Sequence, residues 1–396
     1  MQNTNKHRSL WIIIGITVLN AIGMTIVLPL FPFLLGEYVS DENVAVAMSA
    51  LVSIFAASTF FAAPVFGALS DRYGRKSILL ISLLGSAIGY VLLGIGGALW
   101  VLFLGRIIDG LTAGNQSALF AYITDSTEPH ERGKWFGYIG GAIGLGFMIG
   151  PAIGGLLGTV SITLPFFVTA GITVVSMGCI TLLLPESLPV EKRTKNLTLK
   201  SFNTFSHFKE IFSLKEARAL LIMGAFFYIG LNIWQFNASI FWKDVYLWGP
   251  SFIGVMFVLV GICDILSRVI VLPQLLKKFS EQTVGIIGLC GLAAGLGLLC
   301  LSAYIQSVFL IIGAVSCIVL GEGLFDPSYN ARLSLSVDES KQGLLQGTNQ
   351  SLQALYHVLV PIGAAAVYTY SHGAVFGIAA LLMMCGLVMF MKLKTK

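Results

Sequence analysis

Charged residues are scarce in this chain of 396 residues. Lys and Arg number 24, Asp and Glu number 19, and together they make up 11% of the residues, against 56% that are hydrophobic. Soluble globular domains carry roughly 25% charged residues, so this composition excludes a soluble globular protein. The net charge of +5 does not indicate a nucleic-acid partner, because the basic residues lie between long apolar runs and form no patch of their own.

Motifs of nucleotide binding and of hydrolytic catalysis are also missing. The sequence contains no G-x-x-x-x-G-K-[ST] loop, which argues against an ATP-driven pump, and no Ser/His/Asp or HExxH arrangement that would indicate an intramembrane enzyme. The six cysteines all fall inside apolar runs and form no C-x-x-C pair, so we expect neither a metal site nor a disulfide framework. We therefore predict a protein that is not an enzyme and needs no cofactor.

Apolar runs of about 20 residues, the length that spans a bilayer, recur along the whole chain. They predict twelve helices, over residues 10–35, 44–69, 77–97, 99–123, 133–158, 164–184, 218–242, 251–275, 282–303, 307–330, 342–368 and 373–391. The first run is too long for a signal peptide and lacks a cleavage-site pattern, so we expect it to be retained. The sequence predicts an all-α protein that spans a lipid bilayer many times.

A polar, lysine-rich stretch divides the twelve predicted helices into two sets of six. We predict an N-terminal bundle over 1–184, a cytoplasmic linker over 185–217 and a C-terminal bundle over 218–396. One amphipathic surface helix is expected in the linker, around 199–212.

Basic residues are distributed unevenly between the two sides of the predicted membrane. Most Lys and Arg lie at the termini, in the linker and in the loops 70–76, 124–134, 276–281 and 331–341, whereas the opposite side carries Lys243 and little else. Cytoplasmic loops carry an excess of Lys and Arg, so both termini are expected to be cytoplasmic.

The two sets of helices resemble a weak internal repeat. Three residues of the fifth predicted helix match three of the eleventh at one constant offset: Gly133, Gly137 and Pro151 match Gly343, Gly347 and Pro361. Parallel repeats of this kind build the central cavity of many transporters.

A short charged loop separates the second and third predicted helices. It reads Gly67-Ala-Leu-Ser-Asp71-Arg72-Tyr-Gly74-Arg75-Lys76, and a loop this short forces a tight antiparallel helix pair. Asp71 is an acid among basic residues, well placed to meet a helix N-terminus or a partner arginine. The simpler alternative is a solvated loop of mixed charge.

This loop matches every position of G-x-L-x-D-R-x-G-R-K, and so resembles the signature loop of the major facilitator superfamily. The resemblance implies a secondary transporter of twelve transmembrane helices in two pseudo-symmetric six-helix bundles. It assigns a conformational role to Gly67, Asp71, Arg72, Gly74, Arg75, Lys76 and Asp125. We expect Asp71 to hold the two halves together in one state, through the start of the eleventh helix near 342–343.

The fifth predicted helix carries glycine at every fourth position: Gly146, Gly150, Gly154 and Gly158. Such a stripe lets another helix approach closely, and Pro151 favours a kink. The pattern G-x-x-x-G-P-x-x-G-G resembles the motif of antiporters in this superfamily and assigns that motif to Gly146, Gly150, Pro151, Gly154 and Gly155. Ordinary tight packing is the alternative.

Ionisable residues inside predicted helices are costly and therefore are candidates for proton coupling. They form three sets: Arg106 with Asp109, Asp264 with Arg268, and Glu322 with Asp326. We expect Asp109 or Glu322 to carry a transported proton, with Arg106 stabilising the charged form of the acid, and Asp264–Arg268 to be mainly structural. The alternative for Arg106–Asp109 is a neutralised structural pair.

The chain is most similar in appearance to the tetracycline–proton antiporter branch, through 100–158 and 343–347. It departs from that branch at Asn20 and Gly89, where the branch has acids, so we do not expect tetracycline as the substrate. The resemblance places a substrate cavity among helices 1, 4, 7 and 10. Its candidate residues are amides and aromatics suited to an amphipathic ligand: Asn20, Asn115, Gln116, Asn232, Gln235, Phe236, Phe325, Tyr329, Tyr356 and His357.

The favoured function is proton-driven export of small amphipathic compounds, either drugs or an endogenous metabolite such as a siderophore. The alternatives are a proton-coupled uptake symporter for a nutrient, against which the antiporter motif argues, and a receptor or scaffold without transport, against which the membrane acids argue. We expect a monomer in the bacterial inner membrane.

Overall fold

The computed structural model describes residues 2–128, 131–193, 212–337 and 342–393, and its regular elements in these ranges are helices. The predicted amphipathic helix around 199–212 falls almost wholly outside these ranges. Eight α-helices precede the linker: α1 Gln2–Ile26, α2 Phe31–Gly36, α3 Asp41–Tyr73, α4 Arg75–Ile95, α5 Leu99–Leu111, α6 Asn115–Ser126, α7 Arg132–Gly158 and α8 Leu164–Leu183.

A single 3₁₀ turn, Val190–Lys192, follows α8. Seven further α-helices follow the linker: α9 Lys215–Tyr246, α10 Pro250–Ile265, α11 Leu272–Leu276, α12 Glu281–Ser302, α13 Val308–Ser334, α14 Gln342–Tyr370 and α15 Ala374–Lys392. A π-helical segment, Leu266–Val271, joins α10 to α11 without interruption.

Helices long and apolar enough to cross a membrane number 11 in the described part of the chain. Helices suit this setting because every backbone N–H and C=O of the lipid-facing segment must find its partner within the segment. The prediction of an all-helical membrane protein is confirmed. The count of twelve remains a prediction that requires α5 and α6 to be taken as one interrupted span.

The first predicted helix, 10–35, is interrupted between α1 and α2. Pro29 has no backbone N–H to donate, so the α-helical bonding cannot continue through it. The chain tightens there: Leu28 N–H donates to the Thr25 carbonyl at 3.2 Å and Leu30 N–H to the Val27 carbonyl at 3.0 Å. The hydropathy of the run gives no sign of this break.

The fourth predicted helix, 99–123, is broken at 112–114. The Thr112 hydroxyl bonds the Ile108 carbonyl at 2.8 Å, and Gly114 N–H donates both to the Thr112 carbonyl at 2.7 Å and to Ser82 Oγ at 3.2 Å. Glycine lowers helix propensity, and the Ser82 oxygen from α4 supplies the acceptor that the helix no longer does.

The chain forms two compact units. Unit 1 comprises Met1–Val39, Ile54–Asn203 and Gly249–Val258. Unit 2 comprises Ser40–Ser53, Thr204–Trp248 and Leu259–Lys396.

The core of unit 1 is an apolar cluster contributed by α1, α4, α6, α7 and α8. Its most buried members include Ile13, Ile78, Tyr122, Trp135 and Ile180. The cluster is compact because helices that share no water-driven attraction in lipid associate through close van der Waals packing.

Unit 2 is held together by glycine contacts and by aromatic packing. Gly288 of α12 and Gly321 of α13 approach so closely that a Cβ on either would meet the other's carbonyl oxygen. The Phe227 and Phe325 rings lie 4.6 Å apart, which joins α9 to α13.

Both units also expose large apolar side chains. Leu182 of unit 1 and Phe309 of unit 2 are 83% and 86% exposed, as expected for surfaces that face lipid.

Candidate functional site

The charged loop of unit 1 is organised around Arg75. Its Nη1 bonds Asp71 Oδ1 at 2.6 Å and its Nε bonds Asp125 Oδ2 at 2.9 Å. The guanidinium also donates to Ser70 Oγ at 3.1 Å. A planar fork that contacts two carboxylates ties the end of α3 to the end of α6. The pairing places Asp71 on a partner arginine, one of the two environments expected for it.

Other loop residues have less specific surroundings. Gly74 takes a φ of 99°, a region that favours glycine, and so turns the chain from α3 into α4. Lys76 Nζ donates to the Thr181 carbonyl at 2.9 Å. Arg72 lies over the Tyr73 ring at 5.4 Å, and a Cβ on Gly67 would meet nothing within 4 Å. The side chains of 342–343, the predicted partner region of Asp71, lie outside what the structure describes.

Glu186 caps the first turn of α4, a contact that the sequence did not indicate. Its Oε1 accepts from the backbone N–H of Arg75 at 2.8 Å, and its Oε2 from that of Lys76 at 3.2 Å. Oε1 also accepts from the N–H groups of Ser187 and Leu188 at 3.0 and 3.1 Å. A carboxylate at a helix N-terminus satisfies unpaired donors and the positive end of the dipole.

The glycine stripe of α7 lies directly against α1. A Cβ on Gly146 would meet Ala21, one on Gly150 would meet Thr25, and one on Gly154 would meet the Ile26 carbonyl oxygen. A hydrogen bond also joins the two helices, because Thr25 Oγ1 donates to the Gly146 carbonyl at 2.7 Å. The stripe therefore faces protein along these three glycines.

Glycines 155 and 158 of α7 pack on the beginning of α10. A Cβ on Gly155 would meet the Pro250 carbonyl oxygen and the Gly254 Cα, and a Cβ on Gly254 would meet the Pro151 carbonyl oxygen. Backbone-to-backbone contact at this point leaves no room for side chains.

Arg106 and Asp109 of α5 form a buried ion pair. Arg106 Nη1 lies 3.2 Å from Asp109 Oδ2, and the two side chains are only 10% and 8% exposed. Ser86 of α4 donates to Asp109 Oδ1 at 2.6 Å. The guanidinium carbon lies 3.9 Å from the centroid of the Phe55 ring and 5.5 Å from that of Phe31, so cation–π contact replaces part of its hydration.

Position 89, where the resembling branch has an acid, has space only for glycine in this chain. A Cβ on Gly89 would meet the Gly105 carbonyl oxygen and the Asp109 Cβ, and a Cβ on Gly105 would meet the Gly89 carbonyl oxygen. An acid at position 89 would separate α4 from α5 and displace Asp109. Asp109 lies where such an acid would have to fit.

A second ionic cluster lies in unit 2, around Arg268 in the π-helical segment. Arg268 Nε bonds Asp264 Oδ1 at 2.7 Å, and Nη1 lies 3.5 Å from Asp326 Oδ2 on α13. The i, i+4 spacing predicted the first contact, but the second is visible only in the structure. Single π-helical turns often occur at functional sites, and here the turn carries the arginine that joins two spans.

Asp326 is further held by neutral donors. Asn330 Nδ2 donates to Asp326 Oδ1 at 2.9 Å and the Tyr228 hydroxyl to the same oxygen at 3.3 Å. Glu322, one turn earlier on α13, has no close ion pair within the described residues, but the charges of Arg268, Asp264 and Asp326 act on it. The cluster thus contains three carboxylates and one guanidinium.

The predicted cavity residues fall in both units. In unit 1, Asn20 and Asn115 are partly buried, and the side chain of Gln116 is not described. In unit 2, Phe236 lies edge-on to His357 at 5.7 Å, and Phe325 stacks on Tyr329 at 5.8 Å.

The other predicted residues of unit 2 differ in burial. Asn232 is buried, Tyr356 is partly buried and Gln235 is exposed. Tyr329 also donates to Asn349 Oδ1 at 3.4 Å, which adds an amide of α14 that the sequence reading omitted.

An acidic cavity of about 440 Å³ lies at another part of unit 2. Asp41, Glu42, Asp244, Tyr368 and His372 contribute to its lining. Lys243 contacts Asp41 at 3.5 Å and Asp244 at 3.9 Å. One lysine among three carboxylates leaves a negative potential, which raises the local concentration of cations.

A helical protein with many apolar spans, ion pairs inside those spans and a glycine-packed helix interface is a polytopic membrane protein. The chain belongs to the Major Facilitator Superfamily, whose sequence model matches residues 13–361.

Among curated relatives, the chain is 35% identical to a tetracycline resistance protein of class H from Pasteurella multocida, over 92% of this chain and 90% of the relative. It is 32% identical to the class C protein from Escherichia coli, over 94% and 93%. It is 27% identical to multidrug resistance protein 2 from Bacillus subtilis (strain 168), over 100% and 98%.

Solved structures share the fold. A D-xylose–proton symporter superposes with a TM-score of 0.78 at 15% identity, over 98% of each chain. The human organic anion transporter MFSD10 (TETRAN) superposes with a TM-score of 0.73 at 20% identity, over 97% of this chain and 99% of that one. At these identities the likeness concerns the fold alone, and it confirms the predicted major facilitator architecture.

Proposed function

We propose that this chain exports small amphipathic molecules, drugs or an endogenous metabolite, in exchange for protons. The observation that carries the proposal is the seating of the α7 glycine stripe on the backbone of α1, at Gly146, Gly150 and Gly154. That stripe is the part of the chain that resembles the antiporter motif. Relatives named tetracycline resistance and multidrug resistance proteins support the same direction of transport.

Proton coupling is assigned to the carboxylates inside the spans. Asp109 sits between a guanidinium and the Ser86 hydroxyl, so its charged form has partners, and a change in those partners would alter its proton occupancy. Glu322 shares the charge of Arg268 with Asp264 and Asp326. We assign the transported proton to Asp109 or Glu322, and a holding role to the Asp264–Arg268 pair.

The two predicted bundles, 1–184 and 218–396, act as the moving parts of an alternating-access cycle. The loop from Gly67 to Lys76, with Asp125, biases the balance between states through Arg75. The protein resides in the inner membrane of a bacterium with both termini in the cytoplasm, and it works as a monomer.

The substrate is proposed to be a compound other than tetracycline. Aromatic and amide side chains near α9, α13 and α14, among them Phe236, Tyr329 and Asn349, suit a ligand with both apolar and hydrogen-bonding parts. The missing acid at Gly89 cannot be restored without separating α4 from α5.

Everted vesicles test the direction and the coupling. A panel of toxic amphipathic compounds is first screened on cells with and without the protein, and compounds to which it confers resistance are then added to vesicles with an acidic lumen. We expect substrate addition to release protons from the lumen. Asp109→Asn and Glu322→Gln are compared separately; if both still couple, Asp264 becomes the candidate carrier.

Movement of the compound and of protons in the same direction across the vesicle membrane would identify a symporter and overturn the proposal. A native protein that moves a substrate without any proton flux would also overturn it.

A further inference from the structure

The antiparallel register of α9 and α13 is defined by two contacts. A Cβ on Gly224 would meet the Tyr329 hydroxyl. One turn later on α9, the Tyr228 hydroxyl bonds Asp326 at 3.3 Å. As the residue number rises on α9, it falls on α13. The next turn of α9 therefore brings Asn232 level with Glu322, one turn before Asp326.

Asn232 is an amide with one unused oxygen. The residue is only 2% exposed, and its Nδ2 donates to the Tyr228 carbonyl at 2.7 Å. Its Oδ1 is buried and has no hydrogen-bond partner within the described residues. A buried acceptor without a donor costs free energy, so this oxygen requires a donor from a neighbouring group.

Glu322 can be that donor only when it holds a proton. An ionised carboxylate accepts hydrogen bonds and cannot donate one, whereas a protonated carboxyl has one O–H donor. Arg268 bonds Asp264 and Asp326 at 2.7 and 3.5 Å and its charge also acts on Glu322, so three carboxylates share one guanidinium. The unused acceptor at Asn232 and the O–H of a protonated Glu322 are chemically complementary.

We propose that Asn232 is the residue that recognises the protonated form of Glu322, by accepting its O–H at Oδ1. Loss of the proton turns the pair into two acceptors, and the Glu322 carboxylate then competes with Asp326 for Arg268. Asn232 is thus a positioning residue for the proton. When the proton leaves Glu322, the side chain of Arg268 shifts in response. The inference rests on the proposed function in that Glu322 is one of the two acids assigned to coupling.

The charged and titratable groups around Glu322 come from several elements. The span that contains α10 and the π-helical segment contributes Asp264 and Arg268, and α13 itself contributes Asp326. Tyr228 of α9 and Tyr329 of α13 act on Asp326. α12 packs on α13 at this level through Gly288 and Gly291, which carry no titratable group, and on α14 the nearest titratable group is Tyr356, which acts on Tyr329.

Infrared titration of the purified full-length chain tests the proposal without transport. Difference spectra across a pH series report the carboxyl stretching band of protonated acids, and the contribution of Glu322 is the part that Glu322→Gln removes. The Asn232→Leu variant removes the acceptor and keeps a side chain that branches at Cγ. Since the protonated form loses its partner, we expect half-titration of this band to move to lower pH by about 0.5–1 unit.

Asn237→Leu is the matched control. Asn237 lies on the same helix, is 6% exposed and makes the same backbone bond, from Nδ2 to the Ile233 carbonyl at 2.8 Å. We expect the Glu322 band in this variant to titrate as in the native chain. A titration of Asn232→Leu that matches Asn237→Leu would overturn the proposal, and so would the absence of any band that Glu322→Gln removes.

A second comparison serves if Asn232→Leu does not fold. The amide introduced by Glu322→Gln keeps a donor for Asn232, whereas the side chain introduced by Glu322→Leu has none. Glu322→Gln should therefore melt at a higher temperature than Glu322→Leu, and equal melting temperatures would overturn the proposal. Because neither readout requires substrate, failure here is distinguishable from failure of the antiporter proposal, which the vesicle assay decides.

Discussion

Arg268 Nη1 lies 3.5 Å from Asp326 Oδ2, although the two residues belong to different membrane spans. Through its Nε the same guanidinium holds Asp264 at 2.7 Å. One arginine therefore joins the π-helical segment to α13 and offsets the charge of two of the three carboxylates nearby.

Replacing Arg268 by lysine tests whether the fork itself matters. Lysine keeps the positive charge but is a point donor, so it cannot bond both acids with the geometry of a guanidinium. We expect normal expression and a fall of about tenfold in the rate of proton-coupled transport. The effect is limited to this size because the side chain is partly exposed to solvent. The measurement is the rate of substrate flux driven by a pH gradient. A native rate would show that only charge is needed.

Neutralising Asp71 tests the loop. Asp71 is 53% exposed on its side chain and bonds Arg75, so Asp71→Asn should change the free energy of unfolding by less than about 1 kcal/mol. Transport should nevertheless fall strongly, because Arg75 loses one of its two charged partners. Expression, thermal unfolding and transport are measured together, with Glu191→Gln in the exposed linker region as control. Full transport by Asp71→Asn would remove the conformational role from this loop.

Enlarging Gly154 tests the α1–α7 contact. A side chain at this position would meet the Ile26 carbonyl oxygen, and a rigid backbone atom cannot move aside cheaply. We expect Gly154→Leu to abolish transport or to make the membrane leak protons. Gly144→Leu is the matched control on the same helix, because a Cβ there would meet nothing within 4 Å.

Substrate flux and passive proton leakage are recorded for both variants. An unchanged rate in a sealed membrane for Gly154→Leu would contradict the role of the stripe.

Removing the charge of Glu186 tests the cap of α4. Its carboxylate accepts from the N–H groups of Arg75 and Lys76, so Glu186→Gln should lower the free energy of unfolding by roughly 1 kcal/mol. The effect should shrink at high salt, because interactions at helix ends are screened. Thermal unfolding at two ionic strengths measures it, with Glu191→Gln, the same change at an exposed acid, as control. Equal stability of the native chain and Glu186→Gln at low salt would show that water replaces the cap.

Helix positions could be predicted closely from hydropathy. The observed α7 and α12, at Arg132–Gly158 and Glu281–Ser302, begin and end within one residue of the predicted 133–158 and 282–303. Apolar runs of this length must be helical in lipid because no other open structure satisfies the backbone. The breaks at 27–30 and 112–114 were not predicted, since each depends on a few local hydrogen bonds that hydropathy does not register.

Contacts within one helix were also accessible from spacing. The pairs Arg106–Asp109 and Asp264–Arg268 follow from i, i+3 and i, i+4 geometry, which brings side chains to one face. The glycine stripe of α7 likewise predicted a close helix neighbour, although the sequence did not say which helix it would be.

Tertiary structure alone decided the partners that lie across helices. Ser86 reaches Asp109 from α4, Arg268 reaches Asp326 from another span, and Glu186 caps a helix that begins 111 residues earlier in the chain. These contacts depend on how each helix is rotated about its axis and how closely its neighbour approaches. Periodicity along one segment determines which residues share a face, but only packing determines what that face meets.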